Sequence, residues 1–329
     1  RGIDRGLPAA DLGAAMTNYG AVLREHLASD DLLVCPGVHD PLTAAVADAV
    51  GFETIYMTGY GTSLSTTGYP DAGFVTMPEM IDNAANIQER IDVPLIADSD
   101  NGYGNATNVI RTVREYIKSG AAAIHLEDQT FPKRCGHTKG RQVIPREEAV
   151  GKIEAAADVR DERDPEFVLI ARSDARGTGD GSLDEAIARV NDFLAAGADI
   201  GFVEGPTDEA ELKRVGREVD GPLLYNFVGE VGSSPYVDLA DLDAWGFDVV
   251  IFPIAATLST IANVHADLAA FAEDPVAAMR AIDDAFASQP VGSLHDFSGF
   301  PEVVEWEREY LPAEEQDKYE GSIGDEVDG

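Results

Sequence analysis

The sequence predicts an α/β fold, a (β/α)8 TIM-type barrel with a C-terminal extension, and three observations carry that prediction. Eight short apolar runs alternate with amphipathic stretches, the pattern of βαβ units and a parallel sheet. The amphipathic stretches open and close on recognisable helix signals. Charged or amide residues follow five of the runs, where a barrel would gather them at one mouth. A doubly wound open sheet, the structural alternative, would scatter them along a crevice.

The expected strands, in order, are Leu32 to Val34, Thr54 to Met57, Leu95 to Ala97, Ala122 to Leu126, Val168 to Ala171, Ile200 to Val203, Leu223 to Tyr225 and Val249 to Phe252. Between them, Thr76 to Glu79 and Ser182 to Glu185 fit the capping box, in which hydroxyl and carboxylate each satisfy an orphan backbone N–H. Ser119-Gly120 and Ala196-Gly197 stand where a helix hands over to the next strand. Asp98 and Asp100 follow the third strand, Glu127 and Asp128 the fourth, Arg172 and Asp174 the fifth, Glu204 the sixth and Asn226 the seventh. Residues 1–290 are expected to form the barrel with a helical lead-in, and residues 291–329 an acidic extension. Its Trp306, Tyr310 and Tyr319 are expected to pack on the barrel or on a neighbouring subunit.

With 329 residues, 44% of them hydrophobic, the chain has material for a large core, which excludes collagen-like and wholly disordered classes. The 24 basic and 60 acidic residues leave a net charge of −36, a surface unsuited to nucleic acid or to anionic membrane. Only six of the basic residues are lysine, a skew that resembles haloarchaeal composition. Self-repulsion at this charge is screened in molar salt, where the Debye length falls to about 3 Å, so a salt-requiring protein is expected. Two cysteines, Cys35 and Cys135, cannot build a disulfide framework, and no N-terminal stretch is laid out as a secretory signal. A cytoplasmic location is expected. The longest apolar run, Val249 to Leu258, is half of what a membrane span needs. The chain opens on Arg1 rather than Met, which is expected to reflect processing or residues that lie ahead of it.

The run from Asp98 to Asn105 puts two carboxylates two residues apart, beside glycines that let the backbone turn. Oxygen-only ligands suit Mg²⁺, and Glu127 adds a carboxylate one strand away. In so acidic a chain the plain alternative is solvated surface. Chemistry is densest from Phe131 to Lys139, which holds Lys133, Arg134, Cys135, His137 and Lys139, with Lys118 counted among the nearby cations. Such neighbours are expected to lower the Cys135 pKa and make the thiol a usable acid, base or nucleophile. The alternative is a small buried cysteine beside a basic patch. Gly136 implies a loop free to close, and the spacing lacks the ligands of a zinc site. His39 and Cys35 read as structural, and the glycines at 177, 179 and 181 as a flexible barrel loop.

Taken together, KRCGH at Lys133 to His137, HLEDQ at His125 to Gln129 and DSDNGYG at Asp98 to Gly104 resemble the isocitrate lyase and phosphoenolpyruvate mutase superfamily. Tyr56 to Tyr60, Pro70-Asp71, Arg172 to Asp174, Val203-Glu204 and Tyr225-Asn226 follow in the family's order, over roughly residues 30 to 270. The chain is most like a short haloarchaeal isocitrate lyase. That resemblance implies Mg²⁺-dependent cleavage, with Mn²⁺ as the alternative ion, of a carbon–carbon bond in a small-molecule polycarboxylate through an enolate-like carbanion. It implies that Asp98 and Asp100 hold the metal directly or through water, with Asp71 and Glu127 behind them. Thr58, Gly59 and Tyr60 would grip the end that becomes the oxo acid, and Arg172 would clamp a carboxylate. Gly136, His137 and Asn226 would anchor the leaving succinate, with Glu204 and Thr257 completing the substrate set. Cys135, served by His137 and Arg172, would donate the proton that quenches the carbanion.

The activity so implied is isocitrate lyase, giving glyoxylate and succinate for the glyoxylate cycle. The alternative is 2-methylisocitrate lyase, giving pyruvate and succinate, and the more distant ones are an oxaloacetate C–C hydrolase and a phosphoenolpyruvate phosphomutase. Cys135 favours a lyase over a phosphomutase, and the aromatic Tyr60 leans toward isocitrate. The short chain and Lys133-Arg134 lean toward 2-methylisocitrate. The resemblance also implies a homotetramer that exchanges helices drawn from about residues 257 to 288.

Overall fold

The computed structural model describes residues 17–29, 31–229, 232 and 234–316. The apolar runs become eight strands: β1 (Leu33–Val38), β2 (Ile55–Met57), β3 (Leu95–Asp98), β4 (Ala123–Glu127), β5 (Val168–Ser173), β6 (Ile200–Val203), β7 (Leu223–Asn226) and β8 (Val249–Phe252). Each pairs in parallel with the next, and β1 closes on β8 with Leu33 opposite Val249 and Cys35 opposite Ile251. That closure excludes the open sheet. The runs are uninterrupted because both faces of each strand are covered. One set of side chains, including Cys35, Ile96, Ile170 and Ile251, fills the barrel interior, while Met57, Leu95, Leu126 and Leu169 belong to the layer between sheet and helices.

Five strands outrun their apolar runs: β1, β3, β4, β5 and β7. Strand pairing is a backbone property, so the ladder continues through Asp98, Glu127, Arg172 and Asn226, whose side chains are polar.

Helices α2 (Pro41–Val50), α3 (Gly59–Thr67), α4 (Met77–Arg90), α5 (Ala106–Lys118), α6 (Arg146–Arg163), α7 (Leu183–Ala195), α8 (Glu209–Glu218) and α9 (Leu239–Ala244) connect the strands. The lead-in is α1 (Tyr19–Leu27), whose Leu23 joins the interior cluster and whose Arg24 donates to the carbonyls of Glu166 and Phe167 just below β5. The Thr76 N–H and hydroxyl both donate to Glu79, as expected of that helix start. The second capping box forms only by half. Ser182 Oγ accepts the Glu185 N–H at 3.1 Å, but the Glu185 carboxylate turns to Arg189 at 2.8 Å instead of back to Ser182. Gly120 and Gly197 follow α5 and α7 at φ 84° and 109°, the handover expected of them.

The barrel unit spans Thr17–Leu258, and a second compact unit takes in the described residues from Ser259 on. The division therefore falls inside α10 (Ala255–Glu273), ahead of the break read at residue 290. The second unit continues through α11 (Pro275–Ala287), α12 (Leu294–Ser298), α13 (Phe300–Tyr310) and α14 (Ala313–Gln316). Trp306 and Tyr310 lie exposed on α13, and Tyr319 lies outside the described residues. Among the described residues, no helix is long and apolar enough to cross a membrane.

Candidate active site

β3 ends on Asp98 and the chain turns at once. Asp98 Oδ1 accepts the Asp100 N–H at 2.8 Å, and Oδ2 accepts the Gly59 N–H at 3.0 Å. His125 Nε2 stands 3.2 Å from Oδ1 and 2.7 Å from the Tyr56 hydroxyl, so a buried polar chain rises through the barrel interior to this carboxylate. Asp100 and Tyr103 take left-handed backbone at φ 49° and 58°, a conformation that costs a non-glycine residue about 1 to 2 kcal/mol. The turn is nevertheless held from several sides. Glu127 N–H donates to Asp100 O at 3.0 Å, Ser99 Oγ to His125 O at 2.6 Å, and Tyr103 N–H to Asn101 Oδ1 at 3.1 Å.

The segment after β4 folds over this turn. Lys133 is buried, and its Nζ lies 2.7 Å from Asp71 Oδ1 and 2.6 Å from Asp100 Oδ1. Gln129 brackets the loop, accepting the Arg134 N–H at 3.0 Å and donating to Arg134 O at 2.8 Å. Cys135 N–H donates to Asp71 O at 3.1 Å. Next to it, a Cβ on Gly136 would sit 2.2 Å from Arg172 Nη2 and 2.8 Å from Glu204 Oε1, so a side chain here would have to displace the ends of both. His137 Nε2 lies 3.0 Å from Glu204 Oε1.

Arg172 spends its fork on Asp174, at 2.9 and 3.1 Å, and lies 3.6 Å from Glu127 and 3.8 Å from Glu204 with its guanidinium over the Phe202 ring. Asn226 Nδ2 donates to Glu204 Oε2 at 3.0 Å, leaving Asn226 Oδ1 buried without a hydrogen bond. Asp98, Asp100, Glu127, Arg172, Glu204 and Asn226 thus converge at one mouth with Asp71, Lys133, Cys135, Gly136 and His137. Three of the expected substrate residues make no contact with these groups at the mouth among the bonds described. Thr58 Oγ1 caps α3 through the Gly61 N–H at 3.4 Å, Thr257 Oγ1 meets His39 Nδ1 at 3.3 Å, and Tyr60 is 38% exposed.

Electrostatics corrects one expectation. Burial pushes the Cys135 thiol up to about 11, outweighing Lys133 and Arg172, so the thiol is protonated at neutral pH and not activated as a thiolate. Burial also raises Asp100 to about 6, with Asp98 and Asp71 adding to it against the pull of Lys133. It lifts Glu127 well above the usual carboxylate range. Burial opposes ionisation of Asp98 too, but the charges of His125 and Lys133 outweigh it and hold this carboxyl low. Arg172 and His137 do the same for Glu204. Lys118 is a second correction: at the end of α5 it pairs with Glu115 in solvent at 2.9 Å and heads toward the start of β4, the far end of the barrel from Cys135.

The donor chemistry fits a hard divalent cation. Asp71 and Asp100 already converge on one positive charge, and Glu127 Oε1 is a buried oxygen without a hydrogen bond. Among the described residues the His, Cys, Asp and Glu side chains do not draw together in threes around a metal-sized point, and Lys133 supplies the cation there. From the sequence Lys133 counts only among the cations beside Cys135, and its pairing with Asp71 and Asp100 was not foreseen. Sequence reasoning also missed Arg141, which reaches Asp174 at 2.8 Å, and Ser234, whose hydroxyl donates to Asn226 O at 2.8 Å. The rarity of basic residues could have signalled the first two. Nothing in the spacing signals Ser234.

The profile of the family described as phosphoenolpyruvate phosphomutase matches residues 23–272. The chain is 48% identical to 2,3-dimethylmalate lyase of Eubacterium barkeri over 239 residues, 73% of this chain and 81% of the relative. It is 40% identical to 2-methylisocitrate lyase of Aeropyrum pernix over 71% of this chain and 74% of that one. With isocitrate lyase of Haloferax volcanii it shares 36% identity, over 88% and 86% of the two chains. Among solved structures, 2,3-dimethylmalate lyase in a trigonal crystal form superposes with a TM-score of 0.82 at 32% identity, covering 94% of this chain and 99% of that one. Phosphonopyruvate hydrolase in complex with oxalate and Mg²⁺ superposes with a TM-score of 0.77 at 30% identity, covering 90% and 100%. By this match over most of its length, and by these identities and superpositions, the chain belongs to the phosphoenolpyruvate mutase/isocitrate lyase superfamily.

Proposed function

We propose that this chain is a carbon–carbon lyase that splits a 2-hydroxy polycarboxylate into a 2-oxo acid and a second carboxylate, with Cys135 as proton donor. The observation that carries this reading is the thiol itself, half-buried in the mouth beside Lys133 and Arg172 and kept protonated. When the bond breaks, the substrate hydroxyl releases its proton to solvent and its carbon becomes the oxo carbon. The electron pair of the broken bond stays on the neighbouring carbon of the other fragment. The thiol proton goes to that carbon, and the thiolate recovers a proton from solvent. Arg172 and Lys133 hold carboxylate charge in a site that burial keeps poorly solvated. Asp71, Asp98, Asp100 and Glu127 would hold Mg²⁺, or Mn²⁺ in its place, which when bound supplies Lewis-acid stabilisation of charge at the oxo-acid end.

Within that class we read isocitrate as the substrate, giving glyoxylate and succinate. Arg172, His137 and Asn226 gather around Glu204, a set of donors suited, once turned from it, to the extra carboxylate that a malate-type substrate lacks. The likeness to a haloarchaeal isocitrate lyase over most of both chains supports it. 2,3-Dimethylmalate and 2-methylisocitrate are the second readings, on the higher identities to the enzymes so named. The test offers all three with Mg²⁺ in about 2 M KCl, where surface charge is screened. Glyoxylate from isocitrate supports the first reading. Pyruvate from either rival, with isocitrate inert, moves the substrate and keeps the class. Oxalate from oxaloacetate with all three inert sinks the lyase.

The same reading includes a salt-requiring, cytoplasmic homotetramer. The net charge of −36 supports the salt requirement, and equal melting temperatures in about 0.1 and 2 M KCl would remove it. Val264 and Leu268 of α10 and Val276 and Met279 of α11 are exposed apolar residues that support self-assembly. A single-chain mass in light scattering would remove the tetramer. Both cysteines are free, in keeping with a reducing compartment.

A further inference from the structure

Lys152 lies in α6 with 2% exposure, although a buried ammonium is costly unless it is well partnered. Its Nζ donates to the backbone carbonyl of Asn101, where a buried lysine would ordinarily seek a carboxylate. Asn101 sits between Asp100 and Gly102 in the turn that carries the strained residues, and its own side chain donates to Gln129 O at 3.4 Å and accepts the Tyr103 N–H at 3.1 Å. Every polar group of Asn101 so described is anchored, one to β4's loop, one within the turn and one to α6. Lys152 also lines a cavity of about 10 Å³ together with Glu127, Asp128 and Arg172, so its charge stands behind the site. Backbone strain of this kind persists only where its surroundings over-determine it.

We infer that Lys152 is a positioning residue: its bond to Asn101 holds the turn that presents Asp98 and Asp100, and its charge offsets Glu127 from behind the mouth. Only the identity of the cation these carboxylates meet rests on the functional reading above. The test compares Lys152→Met, which removes donor and charge, and Lys152→Gln, which keeps a donor, with the wild-type chain. Hydrogen–deuterium exchange is read without metal, and Mn²⁺ binding by electron paramagnetic resonance. In Lys152→Met, exchange in residues 98–105 is expected to rise about ten-fold while β5 to β8 keep wild-type rates, and Mn²⁺ affinity to fall about ten- to a hundred-fold. Lys152→Gln is expected to restore the protection and part of the affinity. Unchanged exchange in 98–105 together with unchanged Mn²⁺ affinity overturns the inference. So does exchange that rises throughout the barrel in both variants, which marks a merely structural lysine. If Lys152→Met does not fold, Lys152→Gln with wild-type Mn²⁺ affinity overturns the charge argument. A wild-type chain that binds no Mn²⁺ defeats the metal reading instead, and exchange alone then judges Lys152.

Discussion

On α8, Lys213 meets Glu209 at 3.0 Å; at the mouth, Lys133 meets Asp71 and Asp100 at 2.7 and 2.6 Å. The groups and the distances are alike, but Lys133 holds two carboxylates and the surroundings differ. Lys213 and Glu209 are about half exposed, whereas the Lys133 side chain is 4% exposed. An exposed pair of this kind contributes about 0 to 1 kcal/mol, because water and salt screen it and two long side chains lose freedom. Removing one partner of a buried set leaves an uncompensated charge, at about 3 to 5 kcal/mol. Burial rather than distance therefore ranks the ion pairs of this barrel, and it sets the protonation of the groups around them.

The largest effect that would sharpen this contrast is on turnover. Cys135→Ser is expected to lower kcat by about 10² to 10⁴, the range of a positioned general acid, with the melting temperature unchanged. Wild-type turnover in that variant would mean the proton comes from elsewhere. Next is the reactivity of the thiol. Pushed up to about 11, it carries about a hundredth of the thiolate of an ordinary cysteine at neutral pH, so iodoacetamide should label Cys135 about a hundred times more slowly in the folded chain than in denaturant. Equal labelling rates, read by mass spectrometry, would break the claim that burial outweighs the cations.

A smaller effect concerns Asp128, which burial, with Asp174 adding to it, raises to about 6. The folded chain holds this proton at a pH where the unfolded chain has released it, so this group's contribution to stability falls as pH rises from about 4 to 6. Asp128→Asn lacks that contribution. Its melting temperature, read relative to wild type, should therefore climb across the same interval, and a flat difference would refute the shift. Smallest is the surface pair. Glu209→Gln should change unfolding free energy by no more than about 1 kcal/mol, and by less in about 2 M KCl. A loss of several kcal/mol in urea titration would show that exposure does not decide the ranking.

Much of the site was legible before the fold was seen. Asp98, Glu127, Arg172, Glu204 and Asn226 each follow an apolar run, and a closed barrel brings the ends of such runs together. Lys133 was harder, because its meaning lies in Asp71 and Asp100, which come from two other loops. The thiol was misjudged for a related reason. Arg134 and Lys139 are its neighbours along the chain yet both are exposed, while the burial that sets its pKa comes from the packed mouth. Ser182 and Glu185 show the same limit on a small scale: the motif is intact, but Arg189 competes for the carboxylate across one helical turn.

The sequence by itself determined the order of strands and helices, the closed barrel they imply and the residues that stand at its strand ends. Those follow from periodicity, capping and turn chemistry, which act between residues close along the chain. Tertiary structure alone decided which charges are paired, that Cys135 keeps its proton, and that Lys152 reaches Asn101 from α6. Desolvation and Coulomb terms depend on every atom within several ångströms, and most of those atoms belong to residues far away in sequence.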